Sequence, residues 1–208
     1  SLNPASPAVT ATTIDQQIRS AQAILALMKS YARSPQKWKS TLAKQWLSLS
    51  EKAWETRQDR EVTSWEIIAC GEAFLQTKEK VFADVIYRRS DWLCKLQYEM
   101  PLDADRAPWL GAFRISPKEP ALKAVEPTSG DCGLCAQALV KASRVAEEQD
   151  DQARLTKYVA SVELSFQFLR AIQFSQAFTN HFADWYRRLL LGGFRRRLSA
   201  GRLTLMDH

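Results

Sequence analysis

The residues best placed to do chemistry are Cys132 and Cys135, which enclose Gly133 and Leu134 and follow Gly130 and Asp131. Two thiols at that spacing, at the expected start of a helix, would have their anions favoured by the helix dipole, as in redox-active pairs. The thioredoxin form of this chemistry requires a neighbouring βαβ pattern, and none is visible. Zinc would need two further ligands. Cys70 and Cys94 fall on one expected helix, roughly 36 Å apart at ~1.5 Å per residue, so both cannot reach one ion. The histidines are His181 and His208. His181 stands among Phe178, Asn180, Phe182 and Trp185, the setting of a packed or surface residue rather than of a general base. The chain contains no Gly-rich phosphate loop, no Glu-x-x-His pair and no His-Glu-x-x-His. Glu61, Glu66, Glu72 and Glu79 alternate with lysines, as solvated helix faces do. The expectation is a non-enzymatic protein, with no catalytic residue, metal or cofactor assigned.

Aromatic and basic residues offer more than these isolated groups. Trp38, Trp46 and Trp54 recur at eight-residue steps on a segment that also carries Lys37, Lys39 and Lys44. Eight residues turn a helix by ~80° beyond two full turns, so the three rings spiral and cannot all enter one core. An indole left outside beside lysines has the composition of a partner-binding face, a base-stacking platform or a membrane-interface belt. The other reading packs the rings between helices. Near the C-terminus, Trp185, Tyr186, Arg187, Arg188, Leu189, Leu190 and Leu191 precede Phe194, Arg195, Arg196 and Arg197. Such a run could lie on an anionic membrane or seat against phosphates, or it could be a core helix with a solvated arginine edge. The candidate partner- or phosphate-binding residues are Lys37, Lys39, Lys44, Trp46, Trp54, Arg187, Arg188, Arg195, Arg196 and Arg197.

The elements that must position these residues read as helices. Ile14, Ile18, Ala21, Leu25, Met28 and Ala32 alternate steps of three and four after a capping Thr12 or Thr13. Ser34 before Pro35 signals a second start. A third segment opens at Thr63 or Ser64 and runs toward Tyr98, its stripe including Ile67, Ile68, Leu75, Phe82, Val85, Ile86, Arg89 and Leu93. One long helix, kinked near Gly71 and ended by Pro101, is the simplest account. Five of the eight prolines fall between Pro101 and Gly130, which predicts an irregular connecting segment. Its Trp109, Leu110, Phe113 and Ile115 are expected to pack back onto helices. Helical periodicity resumes at Asp131, and a last long helix is expected from about Asp151 to Leu191, stopped by Gly192 and Gly193. No internal repeat stands out.

The fold class expected is therefore all-α, a bundle of about five helices including two long ones. The boundaries are a disordered leader over 1–12, an N-terminal helical half over 13–100, a Pro-rich connector over 101–130, a C-terminal helical half over 131–193 and a basic tail over 194–208, together one domain. Of 208 residues, 46% are hydrophobic and 25% charged, ordinary for a chain that buries a core without metal or disulfide. No run of about 18 apolar residues predicts a transmembrane helix, and the start lacks the cationic and apolar blocks of a secretory signal. The net charge of +6 is uneven, with basic stretches over 31–60 and 181–208 flanking a mildly acidic middle. Brought together, the two would form an anion-attracting patch. The function expected is that of a cytoplasmic interaction protein: an adaptor, accessory subunit or assembly factor of a larger complex, with a protein partner. Rival readings are a nucleic-acid-binding accessory protein and an amphipathic coat on a membrane or granule surface, and a homo-oligomer fits any of the three.

Overall fold

The computed structural model describes residues 13–117 and 124–199. The leader over 1–12, the end of the basic tail and residues 118–123 of the connector lie outside the described residues. The first helix, α1 (Ile14–Arg33), begins where its cap predicts: the Thr13 hydroxyl accepts from the Gln16 N–H while the Gln16 side chain answers the Thr13 N–H, a reciprocal capping box. The second, α2 (Lys37–Thr56), starts after Gln36 without a side-chain cap. Ser34 closes α1 instead, through its own N–H on the Ser30 carbonyl, so the Ser34–Pro35 start signal is corrected by two residues.

The long helix expected over 63–98 is two helices, α3 (Arg60–Thr77) and α4 (Lys80–Cys94). Asp59 caps α3 by accepting from the Glu61 and Val62 N–H groups. The break falls at Lys78, which takes the left-handed conformation with φ 58°, and Gly71 stays helical. The periodicity survives the break because α4 folds straight back and buries the same apolar residues. Beyond the connector come α5 (Ser129–Glu148), capped by Thr128, and α6 (Gln152–Ile172), capped by Asp151. The last long helix expected to reach Leu191 stops at Ile172 and is followed by two short pieces, α7 (Gln176–Thr179) and α8 (Asp184–Leu190). Eight α-helices and a 3₁₀ turn at Ala107–Trp109 thus stand where five helices were expected, with no strand among the described residues.

The first six helices form three antiparallel hairpins, α1–α2, α3–α4 and α5–α6. Polar contacts fix their directions. Ser50 meets Glu66 and Lys44 meets Glu79, so α2 opposes α3. Arg60 meets Asp131, Lys141 meets Glu72 and Lys78 meets Glu148, so α3 and α5 run parallel. The layer α1, α3, α5 is thus parallel and backed by α2, α4 and α6. The central helix α3 is enclosed nearly all round, which explains its small side chains Ser64, Ala69, Cys70 and Ala73. Lys141 crosses directly over Gly71, where a Cβ would lie 2.1 Å from its Cγ. Apolar side chains from all six helices join one core.

The geometry also reveals a repeat, a correction to the expectation that none exists. After α4, the chain leaves at Leu96–Tyr98 and returns at Gly111–Arg114; after α6 it leaves at Ile172–Phe174 and returns at Gly192–Arg195. Both exits pair antiparallel with their returns, through Gln97 with Phe113 and Gln173 with Phe194. The bonds correspond one for one: Tyr98 N–H to Ala112 O and Phe174 N–H to Gly193 O; Gly111 N–H to Tyr98 O and Gly192 N–H to Phe174 O; Arg114 N–H to Leu96 O and Arg195 N–H to Ile172 O, all 2.8–3.0 Å. In each, the glutamine amide donates at 3.0 Å to the carbonyl of the first glycine, Gln97 to Gly111 and Gln173 to Gly192. The returning sequences are Leu-Gly-Ala-Phe-Arg and Leu-Gly-Gly-Phe-Arg.

Gly111 and Gly192 have φ of 88° and 85°, a region closed to most side chains. Their surroundings differ. A Cβ at Gly111 would sit 1.8 Å from the Leu164 carbonyl oxygen, whereas nothing lies within 4 Å of one at Gly192. Gly192→Ala therefore carries only backbone strain, about 1–2 kcal/mol. Gly111→Ala adds a backbone collision and should cost more than about 3 kcal/mol. Urea denaturation of the two variants measures the difference, and equal penalties would contradict this packing.

Candidate functional site

The interior contains several polar clusters, each held by hydrogen bonds or ion pairs among its own members. The Arg89 guanidinium, fully buried on α4, donates at 2.9 Å to Ser50 Oγ and Glu51 Oε1 of α2 and pairs at 2.9 Å with Glu66 Oε2 of α3. Ser50 in turn donates to Glu66 Oε1. Glu66, expected on a solvated face, is thus buried. Burial raises its pKa, opposed by the Arg89 charge and the Ser50 hydrogen bond. A second cluster centres on Gln97, whose Nε2 donates to the carbonyls of Gly111 and Ser161 and to Ser165 Oγ, while Ser161 Oγ donates to its Oε1 at 2.6 Å. Both ends of that buried amide are thus engaged, the two N–H groups shared among three acceptors and Oε1 accepting from Ser161.

The Cys132–Cys135 pair lies in the first turns of α5, behind Arg60, whose guanidinium donates to the Phe113 carbonyl at 2.8 Å and pairs with Asp131 at 2.6 Å. Ser64 Oγ approaches Cys135 Sγ at 3.6 Å. Both thiols are inaccessible, and burial rather than charge dominates their titration: Cys135 is pushed up to about 11 and Cys132 far above the ordinary thiol range. Cys70 and Cys94 are likewise raised by burial, to about 12 and about 11. His181 stands outside, against the Phe182 ring at 4.0 Å, and is not among the neighbours of these thiols. Among the described residues no three or more His, Cys, Asp or Glu side chains gather in a way that could hold a metal ion.

The basic, Trp-bearing α2 is largely engaged in packing. Lys39 is buried, and its ammonium caps the C-terminus of α1 through the Ser30 carbonyl, Ser30 Oγ and the Ser34 carbonyl, where a cation suits the dipole. Lys44 pairs with Glu79 at 3.0 Å; Lys37 is exposed. Trp46 is buried and donates to Ser20 Oγ at 3.2 Å. Trp54 packs edge-on against Trp92 with ring centroids 6.4 Å apart, beneath the guanidiniums of Arg88 and Arg89. The one ring of the three left largely outside is Trp38.

Lys37, Lys39 and Lys44 do not meet the C-terminal arginines, although Arg60, at the far end of the first basic stretch, lies where α5 begins and pairs with Asp131. Lys37–Lys44 lie at the end of the bundle where α1 and α3 finish, since Lys39 caps α1 and Lys44 reaches Glu79. The C-terminal arginines lie where α5 begins, since the Ser129 N–H donates to the Arg196 carbonyl. With α3 and α5 parallel, a helix of this size separates the two groups by roughly 30 Å. Among the described residues, the α2 lysines and the C-terminal arginines therefore form no joint patch.

Exposed apolar side chains also occur singly elsewhere, as at Trp38, Leu42, Leu49 and Phe166, but they gather most densely on the chain between the two sides of the second bridge. In the first repeat that arm, 99–110, folds back: Leu102 and Trp109 pack on the core, Trp109 lies 6.0 Å from Tyr98, and Met100 is its one large apolar side chain well out in solvent. In the second repeat the arm is longer, 175–191, and builds α7 and α8. It leaves Phe178, Trp185, Tyr186, Leu189 and Leu191 in water, Trp185 at 71% and Leu189 at 68% of full exposure. Leu190, on the opposite side of α8, is buried. Phe182 joins the display through Tyr186 at 5.4 Å, and Trp185 lies 5.5 Å from Tyr186. Around it stand Arg187 and Arg188, with Arg195 anchored on the Ala171 and Leu198 carbonyls and over the Phe178 ring, Arg196 exposed and Arg197 half-buried. The candidate residues brought together are therefore Arg187, Arg188, Arg195, Arg196 and Arg197. Trp185 and Leu189, absent from that candidate set, are its most exposed apolar members. Their signal was the four-residue spacing between them, set across the helix from Leu190.

Comparison with family models, curated proteins and solved structures found no match.

Two expectations follow from the interior. Arg89→Met strands the Glu66 carboxylate in the core and should cost about 3–5 kcal/mol at neutral pH. Because Glu66 titrates above its unfolded value, the folded state binds its proton more tightly, so this group disfavours folding as pH rises and the penalty relaxes on acidification. Chemical denaturation at two pH values checks the sign: a penalty growing toward low pH would refute the assignment. The four described thiols should be silent toward a thiol-specific disulfide reagent in the native protein and react together on unfolding; rapid native labelling at Cys132 or Cys135 would contradict their burial.

Proposed function

We propose that this chain is a non-enzymatic helical interaction protein, an adaptor, accessory subunit or assembly factor of a larger cytoplasmic complex, and that it docks through the arm at 175–191 and the arginines beside it. The observation that supports this is the unequal treatment of two equivalent arms. One bridge geometry carries a loop that folds its one aromatic, Trp109, inward and a loop that turns several outward, so exposure is a property of the second arm's sequence, not of the bridge. Trp, Tyr and Arg are the side chains that concentrate binding energy at interfaces, and an exposed apolar cluster on an otherwise well-packed protein marks a contact surface. Repeated helical hairpins commonly serve as scaffolds for such surfaces. The nucleic-acid reading draws less support, because Lys39 and Lys44 are engaged within the fold and the α2 lysines lie at the opposite end of the bundle from the C-terminal arginines.

The test is capture of the full chain from its native cell, lysed without detergent, with and without nuclease, beside the double variant Trp185→Ala, Leu189→Ala. The expected result is a bound set that survives nuclease and is lost by the variant. Identical sets on both baits, or loss on nuclease treatment, would overturn the proposal.

A further inference from the structure

The chemistry of the arm narrows what it docks on. On α8, Trp185 and Leu189 are four residues apart and share the outer side, since i and i+4 positions stack along a helix. Tyr186 flanks them, and Leu190 faces the body. Near them Arg187 and Arg188 are opposed by Asp184, 3.9 Å from Arg187. The exposed Arg170 in the last turn of α6 and Arg196 at the arm's root add charge of the same sign. The equivalent arm of the first repeat has the opposite character, carrying Glu99, Asp103 and Asp105 against Arg106.

We infer that the second arm docks on an anionic lipid surface; the inference rests on the interaction reading above and names the partner of that same arm. Three observations favour lipid. The exposed set mixes amphipathic rings, Trp185 and Tyr186, with aliphatic Leu189 and Leu191 and with arginines, the combination that settles at the boundary of headgroups and acyl chains. The two leucines offer nothing to a nucleobase, which is held by open aromatic faces, and the Tyr186 ring is packed edge-on against Phe182. A lipid surface demands no matching shape and attracts every arginine at this end of the molecule, which suits an arm whose helix spans only two turns. No described helix is long and apolar enough to cross a membrane, so the arm lies on the surface. Neither a short apolar knob nor a few cations suffices for anchoring, and here the two coincide.

The experiment is flotation of the full chain with vesicles of phosphatidylcholine alone and of phosphatidylcholine mixed with phosphatidylserine, at low and high salt. The chain should float with the mixed vesicles at low salt, and binding should fall at least about tenfold without phosphatidylserine or at high salt. Trp185→Ala with Leu189→Ala should lower it about tenfold or more while leaving circular dichroism and thermal unfolding unchanged, because both side chains stand in solvent. Brominated lipid should quench part of the tryptophan emission, and Trp185→Phe should remove that part. Failure of the folded chain to float, equal flotation with both vesicle types, or a double variant that floats like the parent would overturn the inference. Should vesicle binding fail while arm-dependent capture persists in detergent, the partner is a protein and the interaction reading survives alone; should both fail, both readings fall.

Discussion

A guanidinium withdrawn from water is the constraint around which the helices are arranged. Arg89 is buried completely, and an uncompensated charge there would cost several kcal/mol. Its three answers come from two other helices: Ser50 and Glu51 of α2, and Glu66 of α3. A slip of α2 along α4 by one turn, about 5.4 Å, would remove Ser50 and Glu51 and leave Glu66 as the guanidinium's one remaining partner. Apolar contacts tolerate sliding; this network does not, and it sets the register of α2, α3 and α4 together. Trp54, Trp92 and the stacked arginines pack along the same seam.

A similar division of labour holds at the two return loops. Their backbone bonds are the same, and in both a glutamine just past the outer helix holds the carbonyl of a left-handed glycine. The first is locked more deeply, since Gln97 also ties α6 through Ser161 and Ser165 and Gly111 presses against the Leu164 carbonyl. The first bridge is therefore an internal strut between hairpins. The second has no further hairpin to brace, and its Gly192 faces open space.

The sequence carries α1 almost completely, because a hydroxyl cap, a Gln at the third helical position and a clean alternation of three and four coincide. It hides the α3–α4 break, since Lys78 adopts positive φ without being glycine or asparagine and the apolar stripe resumes in phase after the turn. Arg89 could be read: a charged residue on an apolar stripe has to find a buried partner. Which carboxylate answers it is harder to read: Glu66 stands between Trp65 and Ile67 where Glu79 stands between lysines, but immediate neighbours do not say which side of an enclosed helix faces Arg89. The repeat is concealed by its unequal arms. Leu96 and Ile172 correspond at an offset of 76 and Gly111 and Gly192 at 81, so no single period aligns both ends. Among the candidate binding residues, the C-terminal arginines are found near one another. The lysines of α2 mislead, because a lysine that caps a neighbouring helix looks in sequence like one in solvent.

Equivalent positions in a repeat give the strongest argument about exposed apolar groups. A single exposed tryptophan says little, since much of any protein surface is apolar. Here the same backbone frame has been filled twice. One filling is short, acidic and turned inward, and its Trp109 rests against the tyrosine that begins the bridge. The other is longer, cationic and turned outward. There α8 buries Leu190 and presents Trp185 and Leu189 to water. That contrast between two fillings of one frame, rather than the exposure of any single ring, is the observation on which the proposed docking surface rests.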